Sequence, residues 1–331
     1  MPVRNLLSSL NTKLDGYISN SKEYLDFVRH FKGFYEQSAN KTILKPHIYR
    51  SVVIHFYTII ESFSYDMVDA VLITTKNIHL NARLGYENID EKLRRNHLKS
   101  SIKLLQLLAD QRRKDFKITL EQIIKNLNGC VNQNNIDFTI QSFRTHSSNL
   151  THEHIKQLLS KLSINDVEYE EIKIYSRKID NIVSYRNSLA HSFEPDDMME
   201  SLDLLLEYLH DVDNYFRIWI NKIVAQYVEM QKTLLNESLT RYKMKKVFEG
   251  LCLVGFSIEN NKIFIGQRVF VKISKNEYVG LTIKSIGVEG KNDYIAKDII
   301  SSTDVALQFN ESLGSKLKEI KELIIFKESN K

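Results

Sequence analysis

Asp180-Asn181-Ile182-Val183-Ser184-Tyr185-Arg186-Asn187-Ser188-Leu189-Ala190-His191-Ser192 decides how this chain is read. Apolar residues leading into and through it, Ile172, Tyr175, Ile179, Ile182 and Leu189, step by three and four, the spacing of a helix with one buried stripe. Arg186 takes the stripe position between Ile182 and Leu189, where an apolar residue is expected. A charge on a buried stripe is costly unless it is paired or put to use. Asn187 and His191 are four apart and share a neighbouring face. One short segment thus presents a cation, an amide and a titratable imidazole, and Pro195 is expected to end it. The plain alternative is an Arg stem lying along apolar surface and a His that packs on the next helix.

The segment resembles the R-x(4–6)-H signature of HEPN domains, in which a polar residue, often Asn, follows the Arg. Val183-Ser184-Tyr185-Arg186-Asn187-Ser188-Leu189-Ala190-His191-Ser192 is similar to the "RN-x-(I/L)-AH" form of the RiboL-PSP and MAE-type branches. The resemblance implies an all-α helical bundle and a metal-independent endoribonuclease, usually with its site in a cleft between two protomers. Many toxins of that group carry Tyr two residues after the His, where a partner nucleotidyltransferase modifies it. Here the position is Phe193, which speaks against that antitoxin mechanism.

The chain has 331 residues, 43% hydrophobic and 26% charged, enough for two domains with proper cores and too apolar for wholesale disorder. A net charge of +5 leans mildly toward a polyanionic partner. Cys130 and Cys252 stand far apart, which fits a reducing cytosol and excludes a cysteine zinc site. No apolar run approaches the roughly 20 residues needed to cross a bilayer, and Met1–Leu7 lacks a signal h-region. The expected location is cytoplasmic, with no membrane partner.

Gly250, Gly255, Gly266, Gly280, Gly287, Gly290 and Gly314 are seven of the 11 glycines, all near the C-terminus. The composition changes near Arg241-Tyr242-Lys243-Met244-Lys245-Lys246, which reads as helix end plus linker. The expected organisation is a helical domain over 1–240, a linker over 241–250 and a small β-barrel over 251–331, hence α+β in separate domains. Pro46 suits the first turn of a helix to about Leu72, with seam Ile48, Val52, Phe56, Ile59, Phe63, Met67 and Val71. A second face carries Ile54, Tyr57, Glu61, Tyr65 and Val68. The longest helix is expected from an Asp196 or Asp197 cap to about Leu235, with an apolar stripe from Leu202 through Met230. Between them, Asn149-Leu150-Thr151-His152-Glu153-His154-Ile155 has a capping pattern at Thr151 and a helix through Leu162. It resembles the "N-x-(T/S)-x-E-x-(I/L)" helix start found in some HEPN proteins. His146, His152 and His154 lack acidic or Cys partners at ligand spacing, so no metal is expected.

After the break the period becomes two: Leu251 to Ile258, Arg268 to Ile273, Tyr278 to Ile286 and Asp304 to Phe309. Ile265-Gly266-Gln267-Arg268-Val269, Leu281-Thr282-Ile283-Lys284-Ser285-Ile286 and Ala296-Lys297-Asp298 through Val305-Ala306-Leu307 resemble the second-domain β-barrel of translation elongation factor Tu. Gln267 stands where Asp is usual, and Ile299-Ile300-Ser301-Ser302 is a longer, glycine-free stretch. Such barrels are reused widely as binding modules, so the likeness fixes no function.

Cleaving RNA without metal needs a base for the 2′-OH proton, an acid for the leaving 5′-oxygen and positive charge at the phosphorane. An ordinary imidazole titrates near pH 6.5, so His191 suits proton transfer. Arg186 offers a permanently charged fork matched to phosphate oxygens. Asn187 is placed to orient the imidazole or bind the sugar. The expected catalytic set is therefore Arg186, His191, Asn187 and Glu61. The HEPN resemblance supplies Glu61, which matches an acidic residue on an earlier helix, and a structural partner for a cation is the alternative. One Arg and one His are too few for every role, so a homodimer is expected. Arg186 and His191 are five apart, about 140° around an ideal helix, so convergence needs a distorted helix end or a partner chain. Arg94, Arg95, Arg112 and Arg113 are candidates for RNA contact, against a solvated helix face interleaved with Glu91, Asp110 and Asp115. No cofactor is expected. The partners expected are RNA, with tRNA in view, a second copy of the chain and a protein regulator or antitoxin. The rival function is a HEPN module or scaffold that holds RNA or protein without cutting.

Overall fold

The computed structural model describes residues 2–36, 41–110, 118–144, 149–167, 169–191, 202–235, 239–248, 253–258, 263–273, 278–288, 303–309 and 318–326. Among them come α1 (Pro2–Glu36), α2 (Lys41–Asn81), α3 (Glu91–Ala109), α4 (Leu120–Asn132), α5 (His152–Lys161), α6 (Tyr169–His191) and α7 (Leu202–Leu235). Strands follow: β1 (Leu239–Phe248), β2 (Leu253–Ile258), β3 (Arg268–Lys272), β4 (Tyr278–Val288), β5 (Thr303–Phe309) and β6 (Glu322–Phe326). Helices first and strands afterwards is the class expected from the change of period. The chain divides into two compact units, Ser8–Ile220 and Met1–Leu7 together with Asn221–Lys331. No helix among the described residues is long and apolar enough to cross a membrane.

The seam of α2 is buried as its spacing predicts: Val52, Phe56, Ile59, Phe63, Met67 and Val71 are at most 3% exposed. Leu209, Val212, Phe216 and Trp219 of α7 are equally covered. Phe63 meets Phe216 with ring centroids 4.8 Å apart. Each such side chain contributes about 1.5–3 kcal/mol by leaving water. α6 packs on α2 and α5 through Ile172, Ile179, Ile182 and Val183.

α2 departs from expectation at both ends. Pro46 lies inside the helix rather than in its first turn, and the helix ends at Asn81 rather than Leu72. The extension follows from burial, because Thr74, Thr75, Ile78 and His79 carry the covered face onward. The helix stops where Arg83 turns left-handed at φ 57. There Leu84 N donates to His79 O at 2.8 Å, the closure of a Schellman end. The expected caps Asp196 and Asp197, with Pro195, lie outside the described residues. α5 begins as expected, the Thr151 hydroxyl accepting from His154 N; such a cap is worth about 1 kcal/mol.

The strands form a closed antiparallel barrel in the order β1-β2-β5-β4-β3-β6. Its interior is filled by alternate residues, among them Val254, Phe256, Ile258, Val269, Val271, Leu281, Ile283 and Leu307. The four expected strands are present. The expected linker over 241–250 is instead most of β1, which pairs with both β2 and β6. Tyr242 turns inward while Lys243, Lys245 and Lys246 stay in solvent, so an outward row of lysines had the look of a linker. Gln267 closes the turn into β3: its side-chain oxygen accepts from Phe264 N at 3.2 Å, and Gly266 takes φ +83 beside it. Gly280 on β4 lets the first turns of α1 approach, since an added Cβ would stand 2.1 Å from Leu7 Cδ2.

His97 of α3 is fully buried among Tyr86, Phe138 and Phe143. Its Nε2 accepts from Thr139 N at 2.9 Å, so Nδ1 carries the proton and donates to Tyr86 Oη at 2.9 Å. Burial lowers its pKa from 6.5 to about 4. A depressed pKa in the folded state gives stability that is complete above pH 6.5 and is lost as pH falls through about 4. The urea midpoint of the wild type should therefore fall from pH 6.5 to 4 more steeply than that of His97→Gln. Parallel curves would show that this imidazole is not held neutral.

Candidate active site

The last two turns of α6 bring Arg186 against the residues that open α5. Arg186 Nη1 donates to Asn149 Oδ1 at 3.1 Å and to Asn187 Oδ1 at 3.3 Å. Asn149 Nδ2 donates in turn to Asn187 Oδ1 at 2.7 Å. The three side chains close a small half-buried ring in which each amide has a consistent orientation. The guanidinium carbon also stands 5.0 Å from the centroid of the Tyr57 ring on α2, a cation–π contact. Among the described residues Arg186 has no carboxylate partner. Among the described residues two neutral oxygens and an aromatic face hold it, and no acid cancels its charge.

Tyr57 is the hinge of the group. It is 7% exposed, and its hydroxyl is hydrogen-bonded to the backbone of Leu150, next to Asn149. Burial raises its pKa first, and the charge of Glu61 one turn on raises it further. The Leu150 hydrogen bond and the Arg186 charge act the other way. The charges of Glu61 and Arg186 thus both bear on the Tyr57 phenol.

Of the residues expected from sequence, the structure brings Arg186, Asn187 and Glu61 into one neighbourhood. His191 is the last helical residue of α6, one turn past Asn187, and its side chain lies outside the described residues. Arg94 and Arg95 sit on α3 and are engaged locally. Arg94 Nε donates to Ile89 O at 2.9 Å, and Arg95 pairs with Glu91 at 2.6 Å. Neither shares a hydrogen bond with the Arg186 group among the described residues. Arg112 and Arg113, like His146 and Phe193, lie outside the described residues. His152 Nδ1 meets Tyr215 Oη at 3.0 Å, and His154 Nδ1 meets Thr151 Oγ1 at 2.8 Å. Among the described residues no three His, Cys, Asp or Glu come together as a metal site.

Two members of the group were not singled out from sequence. Asn149 opens the helix start read for its cap at Thr151 and for its HEPN likeness, with no site role given to it, and Tyr57 stands one turn before Glu61 on the same face. Both signals were present, since an Asn ahead of a capped helix and an aromatic beside an acid are binding-site residue types.

The ring of amides generates a stability prediction. Asn149→Ala and Asn187→Ala should each destabilise the protein, and the double variant should lose less than the sum. A coupling of about 0.5–3 kcal/mol is expected for groups in one network. Additive losses in chemical unfolding would mean that the two amides do not act together.

The family model for RiboL-PSP-HEPN matches residues 15–217, more than half of the chain. No curated protein and no solved structure matches. The chain belongs to the RiboL-PSP-HEPN family.

Proposed function

We propose that this HEPN protein is a metal-independent endoribonuclease. The observation that carries the reading is Arg186, half-buried yet held by amide oxygens and a ring face in place of a carboxylate. A guanidinium bound this way keeps its charge for a phosphate, whereas an acid partner would compete with the substrate for the same fork.

In the proposed reaction, the ribose 2′-oxygen attacks the adjacent phosphorus and the bond to the 5′-oxygen breaks. The products are a 2′,3′-cyclic phosphate and a 5′-hydroxyl. Arg186 binds the non-bridging oxygens as charge grows on the phosphorane. His191 transfers the proton, as base toward the 2′-OH or as acid toward the leaving oxygen. Asn187 and Asn149 fix the guanidinium over the Tyr57 ring, and Glu61 is the acidic group whose charge bears on that phenol. One imidazole cannot serve both proton transfers in a single step, so a two-fold dimer supplies the second set in one cleft. Within this reading the protein acts as a toxin or as an anti-phage or stress effector on RNA, tRNA being one substrate to test. A protein regulator would keep it silent.

Wild-type protein should cut RNA in EDTA and leave 2′,3′-cyclic phosphate ends, and His191→Ala should bind RNA without cutting it. Arg186→Lys should lose at least about 100-fold in rate, because an ammonium does not reproduce the fork. Cleavage that vanishes in EDTA, or that survives His191→Ala, would sink the mechanism. RNA binding by a wild type that never cuts would instead favour a non-catalytic HEPN module.

Assembly is tested separately by light scattering. The active species should have the mass of a dimer at micromolar concentration. A monomer that cleaves at full rate would refute the shared cleft.

A further inference from the structure

We propose that Lys99, Lys103 and Lys161 form a phosphate-binding patch that holds the RNA strand beyond the cleavage site, with α5 as the span between them. The proposal rests on the ribonuclease reading above and adds where the substrate lies.

Lys92, Asn96, Lys99 and Lys103 recur at four, three and four residues on α3, so they share one helix face. The C-terminal end of α5 is fastened to that same face. Asn96 Nδ2 donates to Lys161 O at 3.0 Å, and Lys92 Nζ donates to Ser160 Oγ at 2.9 Å. Asp90, the cap of α3, takes the Ser163 hydroxyl just beyond. These bonds bring Lys161 into the field of Lys99 and Lys103. Burial first, then Lys103 and Lys99, lower the Lys161 pKa.

Among the described residues, none of Lys99, Lys103 and Lys161 has a carboxylate partner. The neighbouring acids are committed elsewhere: Glu91 to Arg95, Asp166 to Lys156, and Asp90 to Leu93 N and Ser163. The α3 face meets its first acid at Asp110, two turns past Lys103. Three ammonium groups held together without an acid repel one another, and a run of phosphates relieves that repulsion.

The position fits a strand already fixed at Arg186. α5 starts beside Asn149, which holds Arg186, and ends at Lys161. Its ten residues rise about 15 Å, a distance that a few nucleotides cover and a dinucleotide does not. Arg94 and Arg95 of α3 are engaged locally, with Ile89 O and Glu91, and are not counted in this track. An acidic protein surface would also suit a lysine cluster. RNA is favoured because one element, α5, carries the patch at one end and the Arg186 group at the other.

The test compares full-length His191→Ala with the same protein carrying Lys99→Gln, Lys103→Gln and Lys161→Gln. Both are titrated with a labelled single-stranded RNA of about 20 nucleotides over a range of salt. Three lost phosphate contacts should reduce the slope of log Kd against log salt by about 2 and weaken binding at least about tenfold. In the background with His191 intact, the three substitutions should slow cleavage of the long RNA and leave cleavage of a dinucleotide unchanged. RNA binding with the same slope and affinity in both proteins would overturn the patch while leaving the ribonuclease reading standing. Equal loss on the dinucleotide would also overturn it, because the lysines would then act on the chemistry and not on the strand. If the wild type neither binds nor cuts any RNA, the ribonuclease reading fails, and the patch inference falls with it.

Discussion

The helical unit turns on how one guanidinium is held. Arg186 occupies a position on α6 that its neighbours Ile179 and Ile182 fill with aliphatic carbon, and a half-buried cation there has to be hydrogen-bonded. An acid would be the ordinary answer, since a close ion pair recovers part of the lost hydration. The chain uses Asn149, Asn187 and the Tyr57 ring instead. Each contact is weaker than a carboxylate would be, and together they fix the fork without neutralising it. The price is that three elements must meet at the same point. The start of α5, the end of α6 and the middle of α2 are all placed by what surrounds Arg186.

The barrel follows a different logic. Counted from β1, residues 239–331 carry 16 Lys and Arg against 11 Asp and Glu, and the order of the barrel comes from alternation and closure rather than from charge. β1 and β6 pair with each other and so remove both open edges of the sheet. That closure is why β1 tolerates three lysines on its outer side, since its inner side and both of its hydrogen-bonded edges are satisfied. Gln267 closes the turn into β3 with its own side-chain oxygen. None of these features selects a ligand.

Much of this was readable from residues alone, for physical reasons that differ by element. The stripes on α2 and α7 repeat over many turns, so periodicity outweighs single exceptions such as Pro46. Helix ends were harder. α2 outran its expected stop because Thr74, Thr75 and His79 are polar in composition yet buried in place, Thr75 and His79 bonding back to the backbone of their own helix. β1 was hidden by its lysines. β6 was hidden by the opposite fault, since Leu323, Ile324 and Ile325 are all buried and show no alternation. At the candidate site, the α6 motif names Arg186 and Asn187, but Asn149 and Tyr57 become neighbours only through tertiary packing. A single sequence read without partners offers no way to join positions 57, 149 and 186.

Charge placement carries the last step. The chain has 41 acids for 46 Lys and Arg, so acids are available to pair almost every cation. On α3 that happens at Arg95, whose acid sits one turn earlier on the same helix. At Lys99 and Lys103, four apart, it does not, and like charges at that spacing cost about 0.2–0.5 kcal/mol in an exposed helix. Fastening Lys161 beside them through Asn96 adds to the repulsion where a neutral residue would have relieved it. Such an arrangement lowers the stability of the protein by itself and raises its affinity for anything polyanionic. Arg186 poses the same imbalance at the other end of α5, a cation kept by neutral oxygens. Two positive sites without an acid partner among the described residues, joined by a helix of about 15 Å, define a line along which a chain of phosphates would be bound more tightly than at either end alone.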